Sequence, residues 1–173
     1  MEWFIIIGVV LIVSMGLWAL GRHQDTRMGK VQVVADSPRF IPQKSHDSDV
    51  GYDLVSSEHV HLLPGQRQLV DVGIRIAVPE NMGAFIHPRS GMAHKHGITV
   101  LNTPGTLDPG YTGRVKVNLA NLGDEAVTIY THERIAQLVF KKVESPSFTE
   151  VDDLLPTVRG NGGHGSTGTG VTK

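Results

Sequence analysis

Between residues 31 and 151, apolar side chains recur at every second position in short runs, and each run ends at a turn signal. A period of two sends neighbouring side chains to opposite faces. Only an extended strand turns that pattern into one buried face. The runs are residues 31–34, 51–54, 59–62, 69–78, 84–87, 97–102, 115–119, 127–130, 135–143 and 148–151. Pro64-Gly65, residues 79–83 (PENMG) and residues 103–113 punctuate them. No stretch shows a capped helical pattern of ordinary length. About ten short strands spaced in this way predict an all-β sandwich or barrel. At 173 residues the chain is one domain's worth, with room for a modest core.

The most heavily shaped interruption is residues 103–113 (TPGTLDPGYTG). Residues 97–102 (GITVLN) lead in and residues 114–121 (RVKVNLAN) lead out. Two prolines and three glycines between them predict a long, shaped hairpin. One carboxylate, Asp108, and one ring, Tyr111, sit at its middle. Turn chemistry alone favours an Asp in such a loop. A rigid hairpin with one acid and one ring also has the parts to hold a base and a water in a fixed relation. Both readings stand on the loop alone.

Composition narrows the partners. A net charge of −1 gives no basic field, so nucleic acid is not expected. Cysteine is absent, which excludes disulfides, thiolate nucleophiles and Cys-ligated zinc. His87, His94 and His96 have no carboxylate at a recognised metal spacing, so zinc is not expected either. His94-Lys95-His96 reads as a polar turn.

The two ends differ from the middle. Residues 3–20 (WFIIIGVVLIVSMGLWAL), from Trp3 to Leu20, carry no charge. Eighteen residues at about 1.5 Å each span roughly 27 Å, enough for a bilayer core. Trp3 and Trp18 stand where interfacial anchors do, and Arg22, Arg27 and Lys30 follow. The expectation is one N-terminal transmembrane helix with the following domain in the cytoplasm. A second reading keeps Met28 as the start of a soluble cytoplasmic domain and residues 1–27 as an over-extended reading frame. From Pro156 onward the chain is Gly, Ser and Thr with hardly an apolar side chain, so it is expected to be mobile when empty. The predicted organisation is a hydrophobic segment 1–27, a β-domain 28–155 and a Gly-rich lid 156–173.

Five short motifs occur in order. They are Asp49-Val50-Gly51-Tyr52-Asp53-Leu54, Pro88-Arg89-Ser90-Gly91-Met92-Ala93, Gly105-Thr106-Leu107-Asp108-Pro109-Gly110-Tyr111-Thr112-Gly113, residues 134–140 (RIAQLVF) and residues 159–168 (RGNGGHGSTG). Together they resemble the five signatures of the trimeric dUTPases. The resemblance implies a distorted jelly-roll-like β-barrel of the β-clip type, assembled as a homotrimer with shared active sites. It implies hydrolysis of dUTP to dUMP and pyrophosphate with Mg²⁺, which supplies dUMP for dTMP synthesis and keeps uracil out of DNA. The pattern departs from the family at Val50, where Ala is usual, and at His164, where Phe is commonest.

The roles follow residue by residue from that resemblance. A triphosphate carries about four negative charges, so an attacking water needs a base, and the leaving pyrophosphate needs cationic donors. No Gly-x-x-x-x-Gly-Lys loop is present to cradle it. Asp108 becomes the general base. Tyr111 packs against the deoxyribose and leaves no room for a 2′-hydroxyl. Asn102 meets the uracil edge, with the Thr106 and Leu107 backbone completing the pairing. Arg89, Ser90 and Gly91 meet the phosphates, where Arg supplies a planar fork. Lys116 and Gln137 also reach the ligand. Arg159 goes to the γ-phosphate and His164 over the base. Asp53 holds Mg²⁺ through a water, since Mg²⁺ dehydrates reluctantly. Each also has an ordinary structural reading: an Asx-turn for Asp108, hairpin packing for Tyr111, an exposed strand position for Lys116 and Gln137.

Two rivals remain. A dCTP deaminase resembles this scaffold but carries a catalytic Glu in the outgoing strand, where this chain has Asn118. An amide cannot shuttle the proton. The other rival is a non-catalytic, membrane-tethered regulatory protein on the same scaffold, against which stands the full set of polar residues.

Overall fold

The computed structural model describes residues 30–163. The expected transmembrane segment from Trp3 to Leu20 lies outside them, as does His164. Among the described residues no helix is long and apolar enough to cross a membrane. The chain divides into two compact units, one ending at Val143 and the other beginning at Glu144.

The first unit is built from ten strands. They are β1 (Gln32–Ala35), β2 (Tyr52–Val55), β3 (Val60–Leu62), β4 (Arg67–Ala77), β5 (Met82–Pro88), β6 (Ile98–Val100), β7 (Gly105–Leu107), β8 (Arg114–Asn121), β9 (Val127–Ile129) and β10 (Arg134–Lys142). All the pairings are antiparallel. One four-stranded sheet has the order β1-β4-β8-β6, the other β2-β10-β5-β7, and β3 and β9 make a small third sheet. The period-two pattern decides which face goes in. Val70, Val72, Ile74 and Ile76 of β4 are buried, as are Val115, Val117 and Leu119 of β8. Leu54 of β2, Ala84 and Ile86 of β5, and Ala136 and Leu138 of β10 join them in a single hydrophobic cluster. Each fully buried aliphatic side chain stabilises the fold by roughly 1.5–3 kcal/mol before entropy is charged against it.

Gly73 marks a bulge in β4. Its φ is +72°, and the register with β8 slips between Asp71 and Arg75. A Cβ at this position would come within 2.7 Å of the Phe40 ring, so glycine is required by conformation and by space.

Three sequence expectations need correcting. Residues 103–113 are more than a turn. The arms β6 and β8 do pair, from Ile98↔Asn121 to Val100↔Leu119. Between them β7 leaves that sheet and pairs with β5 in the other, at Ala84↔Leu107, Phe85↔Thr106 and Ile86↔Gly105. His94-Lys95-His96 is no isolated turn: it closes a helix, α1 (Ser90–His96). Seven residues with none buried leave no helical period to read. Its stop is orthodox, with three basic residues in the last turn and Gly97 in the left-handed region at φ +67°. The alternation at residues 148–151 forms no strand. Phe148 is fully exposed, so nothing there rewards an extended face.

Candidate active site

Signatures one, two and four are adjacent on one sheet. β10 lies between β2 and β5, and Gln137 is the register partner of both Asp53 and His87. Ala136 and Leu138 point into the core, so Gln137 takes the opposite, half-buried face. Its side chain lies against Gly51, where a Cβ would meet it at 3.2 Å.

Asp53 is the centre of this cluster. Its side chain is 9% exposed. Arg89 Nε lies 3.4 Å from Oδ1, and Arg134 Nε lies 3.5 Å from Oδ2. Ser45 Oγ donates to Oδ2 at 3.3 Å, and the Asp53 N–H donates to the Gln43 carbonyl at 2.7 Å. Arg89 Nη1 donates to the Arg134 carbonyl at 3.0 Å, which binds the two arginines to each other. A buried carboxylate needs such partners, since an unpaired charge out of water is expensive. Sequence reasoning gave Arg134 and Ser45 no role. One charge at the start of a strand and one serine in a polar loop carry no signal until the fold sets them beside Asp53.

Asp53 Oδ1 is a buried oxygen with no hydrogen-bond partner among the described residues. A lone pair so placed fits a water-bridged hard cation. Among the described residues no group of three His, Cys, Asp or Glu side chains could form a protein cage for a metal. Toward a cation the cluster therefore offers one carboxylate oxygen of Asp53, beside the Arg89 guanidinium, and no protein cage among the described residues.

Ser90 and Gly91 open α1 and are exposed. A Cβ at Gly91 would meet nothing within 4 Å, so within one copy no contact demands glycine there.

The third signature is held separately. Asp108 follows β7, is exposed, and its carboxylate accepts no hydrogen bond from the described residues; its carbonyl accepts the Tyr111 N–H at 3.2 Å in a turn. Tyr111 folds back on its own loop, its hydroxyl donating to the Arg114 carbonyl at 2.8 Å. The ring lies over Gly113, where a Cβ would sit 2.7 Å from Oη. The Asn102 amide lies 3.3 Å from the Cβ position of Gly105, at the mouth of the loop. Thr106 Oγ1 donates to the Pro104 carbonyl at 3.5 Å, and Leu107 is half-buried against the core. Lys116 is exposed on β8 opposite Asp71. Among the described residues no hydrogen bond or ion pair joins Asp108 or Tyr111 to the Asp53 cluster.

In the second unit Arg159 stands in a tight turn, its Nε donating to the Gly162 carbonyl at 2.8 Å. Gly160 N–H donates to the Thr157 hydroxyl at 3.1 Å.

The comparisons with known proteins agree. The deoxyuridine 5′-triphosphate nucleotidohydrolase of Thermobifida fusca is 51% identical over 129 residues, covering 74% of this chain and 72% of that one. That of Mycolicibacterium vanbaalenii is 46% identical over 149 residues, covering 83% and 96%. Among solved structures, the dUTPase of Staphylococcus bacteriophage 80alpha with dUPNHPP aligns at a TM-score of 0.74 and 27% identity, over 81% of this chain and 99% of that one. A mutant dUTPase of phage phi11, described with a structural Mg(II) ion, shares the fold at a TM-score of 0.67 and 23% identity, over 72% and 98%. The dUTPase family model matches residues 38–168, most of the length, and the chain belongs to the dUTPase family.

Proposed function

We propose that this chain hydrolyses dUTP to dUMP and pyrophosphate, with Asp108 as the base that activates the attacking water. Family membership carries the reaction class. The observation that carries the mechanism is the state of Asp108. Its carboxylate is exposed, makes no hydrogen bond with the described residues, and follows directly on a strand paired into the sheet. The pairing of β7 with β5 holds it at a fixed place. The water's oxygen attacks the α-phosphorus, its proton passes to Asp108, and the bond to the leaving pyrophosphate breaks. Arg89, Ser90 and Gly91 meet the phosphates, Asn102 and the Thr106–Leu107 backbone the base, Tyr111 the sugar. Gln137 and Lys116 complete the contacts. Arg159 and His164 of the tail close over the ligand. When bound, Mg²⁺ neutralises phosphate charge, with Asp53 as its outer anchor.

The separation of Asp108 and Tyr111 from the Asp53 cluster supports a further reading: three copies assemble, and each site takes one group from one copy and the rest from others. Light scattering of the purified protein tests it, with three times the chain mass expected and a monomeric active enzyme overturning it. Residues 3–20 support anchorage to a membrane. Full-length protein is then expected to sediment with membranes and resist extraction by high salt, because burial and not charge holds it. Recovery in the soluble fraction overturns that.

Pyrophosphate release tests the reaction itself. The full chain is expected to act on dUTP with Mg²⁺ and to spare dTTP and UTP. Equal rates on dCTP, or ammonia release from it, would establish the deaminase reading instead. Asn118, half-buried on β8, already argues against that.

A further inference from the structure

The loop carrying Asp108 and Tyr111 rejoins the sheets at Arg114, and there the backbone ladder is interrupted. β4 and β8 pair from Arg67↔Ala120 to Asp71↔Lys116, slip at the Gly73 bulge, and meet again at Arg75↔Arg114. Across that gap the Arg114 guanidinium is clamped by two carboxylates. Nε and Nη2 donate to Asp71 Oδ2 and Oδ1 at 3.0 and 2.8 Å. Nη1 and Nη2 donate to Asp36 Oδ1 and Oδ2 at 2.8 and 2.7 Å. The carboxylates are themselves fixed at the bulge. The Asp36 N–H donates to the Gly73 carbonyl at 3.0 Å, and the Gly73 N–H donates to Asp71 Oδ1 at 2.7 Å. A planar fork can bridge two carboxylates in this way; an ammonium cannot.

The same residue's carbonyl accepts the Tyr111 hydroxyl. The bond by which the ring is tied back therefore ends on a residue whose side chain is locked across three chain segments. Against Gly113 the ring has little room to move inward. Outward, the hydroxyl bond is what restrains it.

We infer that Arg114 is a positioning residue: clamped by Asp36 and Asp71, it fixes the carbonyl that holds the Tyr111 ring and so sets how strictly the site refuses a ribonucleotide. This rests on the dUTPase reading and deepens it. This role requires no contact between Arg114 and the ligand. Rejecting one added hydroxyl is hard for a pocket wall, which ordinarily gains about 10²-fold at most. A wall that yields gains less, so rigidity of the ring is where the discrimination resides.

The test uses the full-length chain, Arg114→Gln, Asp36→Asn, Tyr111→Phe and the Arg114→Gln/Tyr111→Phe double variant. kcat and KM are measured for dUTP and UTP. Arg114→Gln is expected to keep kcat on dUTP within about twofold and to lower the preference for dUTP over UTP roughly tenfold. Asp36→Asn, which changes an exposed carboxylate and leaves the Asp71 half of the clamp, is expected to move the preference the same way by less. In the Tyr111→Phe background, where the anchoring hydroxyl is gone, Arg114→Gln is expected to change the preference no further. A general loosening of the fold lowers both substrates together and leaves the preference alone. An unchanged preference in Asp36→Asn, and in Arg114→Gln if it folds, overturns the inference while dUTP hydrolysis stands. Full additivity in the double variant overturns it too. A parent that releases no pyrophosphate from dUTP overturns the functional reading and the inference with it.

Discussion

Asp108 stands in water after β7, while Asp53 is buried between Arg89 and Arg134. The carboxylate of the first makes no hydrogen bond or ion pair with the described residues, so its replacement is expected to cost activity and spare the fold. Asp108→Asn is predicted to keep its melting temperature and to lose turnover by about 10²–10⁴, the scale of a lost general base. Parallel thermal and kinetic measurements check it, and turnover at the parent's rate would move the base to Asp53. The ion cluster at Arg114 predicts a pH dependence. Hydrogen bonds from Arg114 hold Asp36 below the ordinary carboxylate range. For Asp71 partial burial pushes upward, but the bonds from Arg114 and the Gly73 N–H outweigh it and the net shift is also down. Depressed folded values mean that the unfolded chain takes up protons first. The stabilisation is complete above the unfolded carboxylate value of about 3.9 and is lost as pH falls through the folded values below it. In the acid range below about pH 4, the parent's melting temperature is therefore expected to fall more steeply than that of Arg114→Gln.

At the scale of elements, nine of the strands fall within the alternating runs because each packs apolar side chains against the common core. β7 did not. Three residues, Gly105–Leu107, give no alternation, and prolines and glycines around them read as pure turn. Only the long-range pairing with β5 makes them a strand. α1 escaped for the opposite reason: it packs no buried face and its N-cap, Arg89, makes no side-chain capping bond. In the site, the residues proposed to meet phosphate and base were assigned from motif chemistry. The partners of Asp53 were not, because Ser45, Arg89 and Arg134 come together only when β2, β5 and β10 align. The bulge in β4 offers a direct check on how tightly elements interlock. Gly73→Ala places a methyl against the Phe40 ring and strains a positive φ, and is predicted to destabilise by about 1–3 kcal/mol. Chemical denaturation measures it. A neutral result would mean that β4 can straighten at no cost.

For the whole molecule, the second unit makes the sharper prediction. Its chain from Thr157 carries almost no apolar side chain but supplies Arg159 and a run of glycines. Ordering such a segment costs roughly 1 kcal/mol per residue, and contacts to a metal-bound triphosphate can offset that where contacts to dUMP cannot. A chain ending at Pro156 is expected to assemble as the parent does and to lose turnover by about 10²–10³, as when a preorganised donor to developing charge is removed. Size-exclusion mass and turnover, measured side by side, separate the outcomes. Full activity would make the tail a linker, and a change of mass would make it structural.

The excursion of β7 between two strands of the other sheet has a consequence for exchange with solvent. A surface loop of this length ordinarily opens by itself, and its amides trade protons readily. Here the loop is stitched into β2-β10-β5-β7 at Gly105–Leu107 while both its arms, β6 and β8, lie in the other sheet. It cannot lift without breaking the pairing at Phe85↔Thr106. Because β7 is an edge strand, only one of the neighbouring Thr106 and Leu107 amides can donate to β5, and that one is expected to exchange as slowly as the middle of β5. Asp108, the proposed base, would then stand at the end of a segment that opens only with the whole domain.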